Sequence, residues 1–119
     1  MLLVVNVVLK NIWGRTRPND VSYFNGFQDF TPWYKISNAC ASNCSFVSGD
    51  SSVGFLLIVF YFITKKNAYL YLGLILGSLL GFIRIAAGGH FFSDIIFSQI
   101  VVTITILVSF ILYKKLYDK

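Results

Sequence analysis

Apolar residues in this chain come in long blocks separated by short polar segments. Residues 1–13 are mostly apolar and end at Lys10 and Trp13. Residues 51–64 form a second block, closed by Lys65-Lys66-Asn67. Residues 68–87 form a third, broken by Gly88-Gly89, and residues 91–113 a fourth, closed by Lys114-Lys115. Runs of this kind read as helices for a bilayer, which needs about 20 apolar residues per crossing. At about 1.5 Å per residue the first block is too short to cross and resembles the last half of a spanning helix whose beginning is missing. Between the first and second blocks, residues 14–45 are rich in Gly, Pro, Asn, Asp and Ser, and Pro18 and Pro32 interrupt any helix. The expected fold is therefore an all-α transmembrane helix bundle. It has about three full spanning helices plus a partial N-terminal one, in a single domain over residues 1–119.

Two details refine this pattern. In the third block Gly73, Gly77 and Gly81 recur every four residues, a stripe on which another helix can pack closely. In the loop, Tyr23, Phe24, Phe27, Phe30, Trp33 and Tyr34 are interleaved with polar residues, as expected for a segment lying at a membrane–water interface or covering a lipid substrate.

Composition agrees with a membrane setting. Of 119 residues 56% are hydrophobic and only 13% charged, about half the charged share of a soluble domain. The formal net charge of +5 does not indicate a nucleic-acid partner, because the basic residues sit at the ends of apolar runs rather than in a stripe. No basic segment precedes the first apolar run, so a cleavable signal peptide is not expected. Cys40 and Cys44, four apart in the loop, read either as free thiols or as a short disulfide on an oxidising side. Asn43-Cys44-Ser45 fits a glycosylation acceptor, relevant only in a eukaryotic secretory compartment.

Spanning helices alternate in direction, since unsatisfied backbone is excluded from lipid. Following the chain from the loop, Lys10, Arg15, Arg17, Ser48, Asp50, Arg84, His90 and Asp94 all return to one membrane face, from four separate segments. Lysines and arginines do not decide orientation. Lys10, Arg15, Arg17, Lys35 and Arg84 lie on the loop side, and Lys65, Lys66, Lys114, Lys115 and Lys119 on the other. If the loop-side cations serve a site, the far side is cytoplasmic and the site faces a periplasm.

The collected residues have a chemistry in common. His90 and Asp94 are four apart at a helix start and so share a face. A carboxylate there can hold one imidazole nitrogen and leave the other free to attack. Lys10, Arg17 and Arg84 converge on the same end, and guanidinium groups grip phosphate oxygens. Ser48-Gly49 opens a helix, where backbone N–H groups favour anions. No carboxylate cluster for a metal accompanies them, so metal-free phosphoryl transfer without a cofactor is expected.

The spacing of these residues resembles the type 2 phosphatidic acid phosphatase superfamily, whose motifs are Lys-x6-Arg-Pro, Pro-Ser-Gly-His and Ser-Arg-x5-His-x3-Asp. The first matches fully as Lys10, Arg17 and Pro18. The second matches in Ser48 and Gly49, the third in Arg84, His90 and Asp94. The resemblance covers residues 10–94. It implies a membrane phosphohydrolase acting on a lipid-linked phosphate or pyrophosphate, in a bacterial inner membrane. By the same resemblance His90 is the nucleophile that forms a phosphohistidine and Asp94 its orienting partner. Lys10, Arg17, Ser48, Gly49 and Arg84 hold the phosphate. Asp50 stands where the family has a proton-donating histidine, Val47 where it has proline and Ile83 where it has serine. Asp50 is expected either to take over proton donation or to cap the following helix. The family usually has more spanning helices, so the chain reads as a fragment, a mis-called start or a remnant. Two alternatives carry different expectations: a lipid-phosphate-binding module without turnover, and a structural membrane protein whose cations touch anionic headgroups.

Overall fold

The computed structural model describes residues 8–22, 26–27, 29–38, 40 and 44–118. Sequence-level assignments that fall on residues 1–7, Tyr23, Phe24, Asn43 and Lys119 lie outside the described residues. Among the described residues the architecture is helical: α1 (Lys10–Trp13), α2 (Gly49–Thr64), α3 (Asn67–Ala86) and α4 (Phe92–Tyr117). A short 3₁₀ turn at Pro18–Asp20 punctuates the loop, and another at Leu56–Ile58 tightens the middle of α2.

Helices α3 and α4, with 20 and 26 residues, are long and apolar enough to cross a bilayer. Only 17% and 22% of their apolar windows are buried within the protein. A core helix of a soluble domain would be mostly covered, whereas these expose Ile75, Leu79, Phe82, Ile100, Ile104 and Ile111 along their length. Helix α2 begins at Gly49 rather than at residue 51 and ends at Thr64, so at 16 residues it is shorter than the two long helices. Among the described residues two helices are thus long and apolar enough to span a bilayer, and the expected third span is not shown by helix length. Helix α4 also continues through Lys114 and Lys115 to Tyr117, further than the expected end at 113.

Ser48 caps α2 through its side chain, which accepts from the Ser51 amide. Phe55 and Ile58 on α2 pack with Ile95, Val102 and Ile106 on α4 to form the apolar core. The third side of that core is the glycine stripe of α3. Gly73, Gly77 and Gly81 are all buried, and they meet Ile58, Phe55 and Ile95 respectively. At the tightest point two backbones touch: a Cβ added at Gly54 of α2 would lie 2.6 Å from both the Cα and the nitrogen of Gly77. Alanine would favour the helix by about 1 kcal/mol, but here it collides with main chain, which cannot rotate away. Gly54→Ala is therefore expected to destabilise the bundle by about 1–3 kcal/mol. Thermal unfolding in detergent micelles measures the change.

The bundle is polarised end to end. At one end Lys65 and Lys114 both rest on the ring of Phe110. At the other, the loop folds over the starts of α2 and α4 and the end of α3. Trp13 stacks on Phe46 with ring centres 4.6 Å apart, and Trp33 lies on Phe97 of α4 at 4.9 Å. The indole of Trp13 donates to the Trp33 carbonyl at 2.7 Å. The loop aromatics Phe27, Phe30, Trp33 and Tyr34 remain largely exposed.

Candidate active site

The centre of the polar end is a buried ion pair. Arg15 Nη1 lies 2.5 Å from Asp94 Oδ1, with side chains 3% and 0% exposed. The loop builds a seat for the arginine: Arg15 Nε donates to the Thr31 carbonyl at 3.0 Å, Nη1 also donates to Ser93 Oγ at 2.7 Å, and the guanidinium lies 4.3 Å over the Phe91 ring. Burial lowers the Arg15 pKa, and the charge and hydrogen bond of Asp94 oppose that. Arginine starts so high that it stays cationic. Asp94 is equally occupied. Its Oδ2 accepts from the hydroxyl of Ser45 and from the Phe91 amide at 2.9 Å, and the latter closes the first turn of α4.

His90 is 2% exposed. Its Nδ1 is 2.7 Å from the Ser45 carbonyl oxygen and 3.7 Å from Asp94 Oδ2. The carbonyl is the closer partner and can only accept, so Nδ1 carries a proton, and in the neutral ring Nε2 keeps the lone pair. Ser45 thus touches both members of the His90–Asp94 pair, through its carbonyl and its hydroxyl.

Two guanidinium groups meet at Gly89, the residue before His90. A Cβ built on Gly89 would lie 3.2 Å from Arg84 Nη2 and 3.5 Å from Arg17 Nη1. The absence of a side chain at Gly89 leaves the two arginines room to converge. Lys10, buried at 7% exposure, is within electrostatic reach of Arg17, Asp50, Arg84 and Asp94. The turn that carries Gly89 and His90 is tied to the loop by Asn19. Its amide donates to the Gly88 carbonyl at 3.1 Å and its side-chain Nδ2 to the Ala87 carbonyl at 3.1 Å. Gly88 adopts φ +71°, and a Cβ there would fall on the Asn19 side chain, so glycine is required twice over. A cavity of about 450 Å³ opens next to His90, walled by Pro18, Asn19, Ile85, Gly88, Phe91 and Phe92.

Asp50 and Ser48 occupy less expected positions. The Asp50 side chain is 57% exposed and lies 3.0 Å from Arg84 Nε; the N–H is not aimed at it, so the contact is an ion pair rather than an aligned hydrogen bond. Of the two expectations for Asp50, proton donation or capping, the cap comes instead from Ser48. Ser48 is wholly buried, with its hydroxyl turned to the Ser51 amide and its carbonyl accepting from Ser52 and Ser98, leaving Gly49 the more accessible of the two. Cys40 and Cys44 are joined by a disulfide just upstream of Ser45. Among the described residues no three His, Cys, Asp or Glu side chains gather as a metal-ligand set.

Three contributors escaped sequence reasoning: Arg15, Ser45 and Asn19, which ties the turn before His90 to the loop. Arg15 stood in the basic cluster, but nothing in its spacing marked it as the partner of Asp94. Ser45 carried no signal beyond its place three residues before Ser48.

A family model of the PAP2 superfamily matches residues 1–118. The chain belongs to the PAP2 superfamily. Curated relatives carry a more specific description. A protein of Francisella tularensis subsp. novicida (strain U112) named lipid A 4'-phosphatase is 43% identical over 121 residues, covering 98% of this chain and 53% of that protein. One of the same name from Rhizobium leguminosarum is 37% identical over 98 residues, 80% of this chain and 42% of that protein. The chain thus spans about half the length of the curated relatives it matches. No solved structure matches.

Proposed function

We propose that this PAP2 superfamily member is a membrane phosphohydrolase that removes a phosphate from a lipid of the lipid A type. The observation that carries the reading is the setting of His90. Its Nδ1–H is committed to the Ser45 carbonyl, which leaves Nε2 as the nucleophile, and Arg17 and Arg84 flank the adjacent Gly89. The names of the relatives from Francisella and Rhizobium support the lipid A class and its 4'-phosphate.

In this reading Lys10, Arg17, Arg84 and the Gly49 backbone hold the phosphate oxygens, and Ser48 shapes the helix end from which Gly49 is presented. His90 Nε2 attacks phosphorus, the P–O bond to the lipid oxygen breaks, a phosphohistidine forms, and the leaving lipid oxygen takes a proton from a solvent water. Water then releases inorganic phosphate and restores the imidazole. The positive charge that develops on the ring is stabilised by the Ser45 carbonyl and, 3.7 Å away, by Asp94. The chain's own cations neutralise the phosphate, so this route calls for no metal or cofactor. The cavity beside His90 receives the part of the lipid next to the phosphate, and the exposed loop aromatics rest at the interface.

The membrane arrangement follows. Helix α2 completes a third crossing alongside α3 and α4, and the site faces the periplasm of a bacterial inner membrane. The Cys40–Cys44 bond supports an oxidising, non-cytosolic side for the loop.

The test is phosphate release by the purified chain in detergent micelles, offered lipid A bearing its 4'-phosphate, phosphatidate and an isoprenoid pyrophosphate. Release is expected, fastest from lipid A. A folded chain that liberates phosphate from none of them refutes the assignment.

A further inference from the structure

The mechanism leaves one acidic group in the cation cluster without a task. Asp94 is buried and committed to Arg15, Ser45 and the Phe91 amide. Asp50 is different: it lies on the open side, 57% exposed, against Arg84 and within electrostatic reach of Lys10. The desolvated surroundings that suit a proton-donating carboxyl are missing there. What the position does offer is competition. A carboxylate oxygen and a phosphate oxygen approach a guanidinium through the same N–H groups, and Arg84 also flanks Gly89 next to His90.

We infer that Asp50 is an internal competitor for Arg84, a specificity-setting anion that holds the guanidinium until a phosphate displaces it and so limits how tightly the site retains phosphate, product included. The inference rests on the phosphatase reading only in taking phosphate as the anion.

Four physical points support it. An exposed ion pair is weak and easily exchanged. A phosphate monoester carries more negative charge than a carboxylate and presents more oxygens, so it wins the guanidinium when present. Displaced, Asp50 still has a favourable place, because it sits at the second position of α2, where the helix dipole stabilises negative charge. The Arg84 Nε–H, unaligned with Asp50, is a donor awaiting a better-placed acceptor.

The experiment measures inorganic phosphate binding to the full chain in detergent micelles by titration calorimetry, for the wild type, Asp50→Asn, Arg84→Ala and the double variant. Asp50→Asn is expected to tighten phosphate binding by about three- to tenfold, and Asp50→Ser to do the same. On the Arg84→Ala background the Asp50 substitution is expected to have no effect. In turnover assays of Asp50→Asn, KM for the lipid phosphate and the phosphate inhibition constant are expected to fall together. Unchanged or weakened phosphate binding in Asp50→Asn overturns the inference, as does tightening that persists without Arg84. So does a hundredfold loss of kcat at unchanged phosphate affinity, which would assign Asp50 to proton transfer. These failures leave the phosphatase reading standing if Arg84→Ala still weakens binding. A wild type that binds no phosphate defeats both.

Discussion

Under the proposed function, replacing His90 by alanine is expected to lower phosphate release by about a thousandfold or more. The expected loss follows from the role proposed for Nε2. Nδ1 donates to the Ser45 carbonyl, so Nε2 alone has a lone pair to offer phosphorus. Neither Asp50, exposed and paired with Arg84, nor Asp94, enclosed by Arg15 and Ser45, is placed to take over the attack. His90 makes one short hydrogen bond and lines a cavity, so the variant is expected to insert in membranes and bind phosphate nearly as the wild type does. Rapid-quench labelling adds a second readout: an acid-labile phosphoprotein should accumulate in the wild type and be absent from His90→Ala. Turnover within tenfold of wild type in that variant contradicts the assignment.

The second large effect is on stability. Asp94→Ala leaves Arg15 charged and buried with its principal partner removed, and is expected to cost about 3–5 kcal/mol. Ser45 and the Phe91 amide lose their acceptor in the same step, so the loop over the site loosens as well. The control is the double variant Arg15→Ala, Asp94→Ala. It leaves no unpaired charge, and should be less destabilised than the sum of the two single variants. Denaturant unfolding of the four proteins in mixed micelles closes the cycle. An additive double variant would mean that the two side chains do not interact. Asp94→Asn separates shape from charge: it keeps the volume, loses the ion pair, and should fall between wild type and alanine.

These two predictions place Asp94 and His90 in different roles, although they are only four residues apart, Asp94 in the first turn of α4 and His90 in the turn before it. The carboxylate does most of its work holding the loop to the helix through Arg15. It reaches the imidazole only at 3.7 Å, with the Ser45 carbonyl as the direct orienting group. Asn19 plays a comparable part, bridging the turn after Arg17 to the turn before His90. The loop around Arg17 and the turn before His90 are thus held by two ties, Arg15 with Asp94 and Asn19 with Ala87 and Gly88.

The sequence alone determined the features set by local pattern. Apolar block length located α3 and α4 within a few residues, because crossing hydrocarbon demands a fixed run of apolar side chains. The four-residue glycine spacing marked the face of α3 that packs on α2, because helical period alone puts those positions in line. Alternation of helices was enough to bring Lys10, Arg17, Arg84 and His90 to one end, and motif spacing pointed to the family. Contacts between distant segments were decided only by the tertiary structure. Arg15 with Asp94, Ser45 with His90, and Asn19 with Gly88 are separated by 79, 45 and about 70 residues, and no periodicity links such positions. Nor could composition reveal that Ser48 would cap α2 while Asp50 turned outward to Arg84, since either residue type can cap a helix and the choice depends on what packs against that turn.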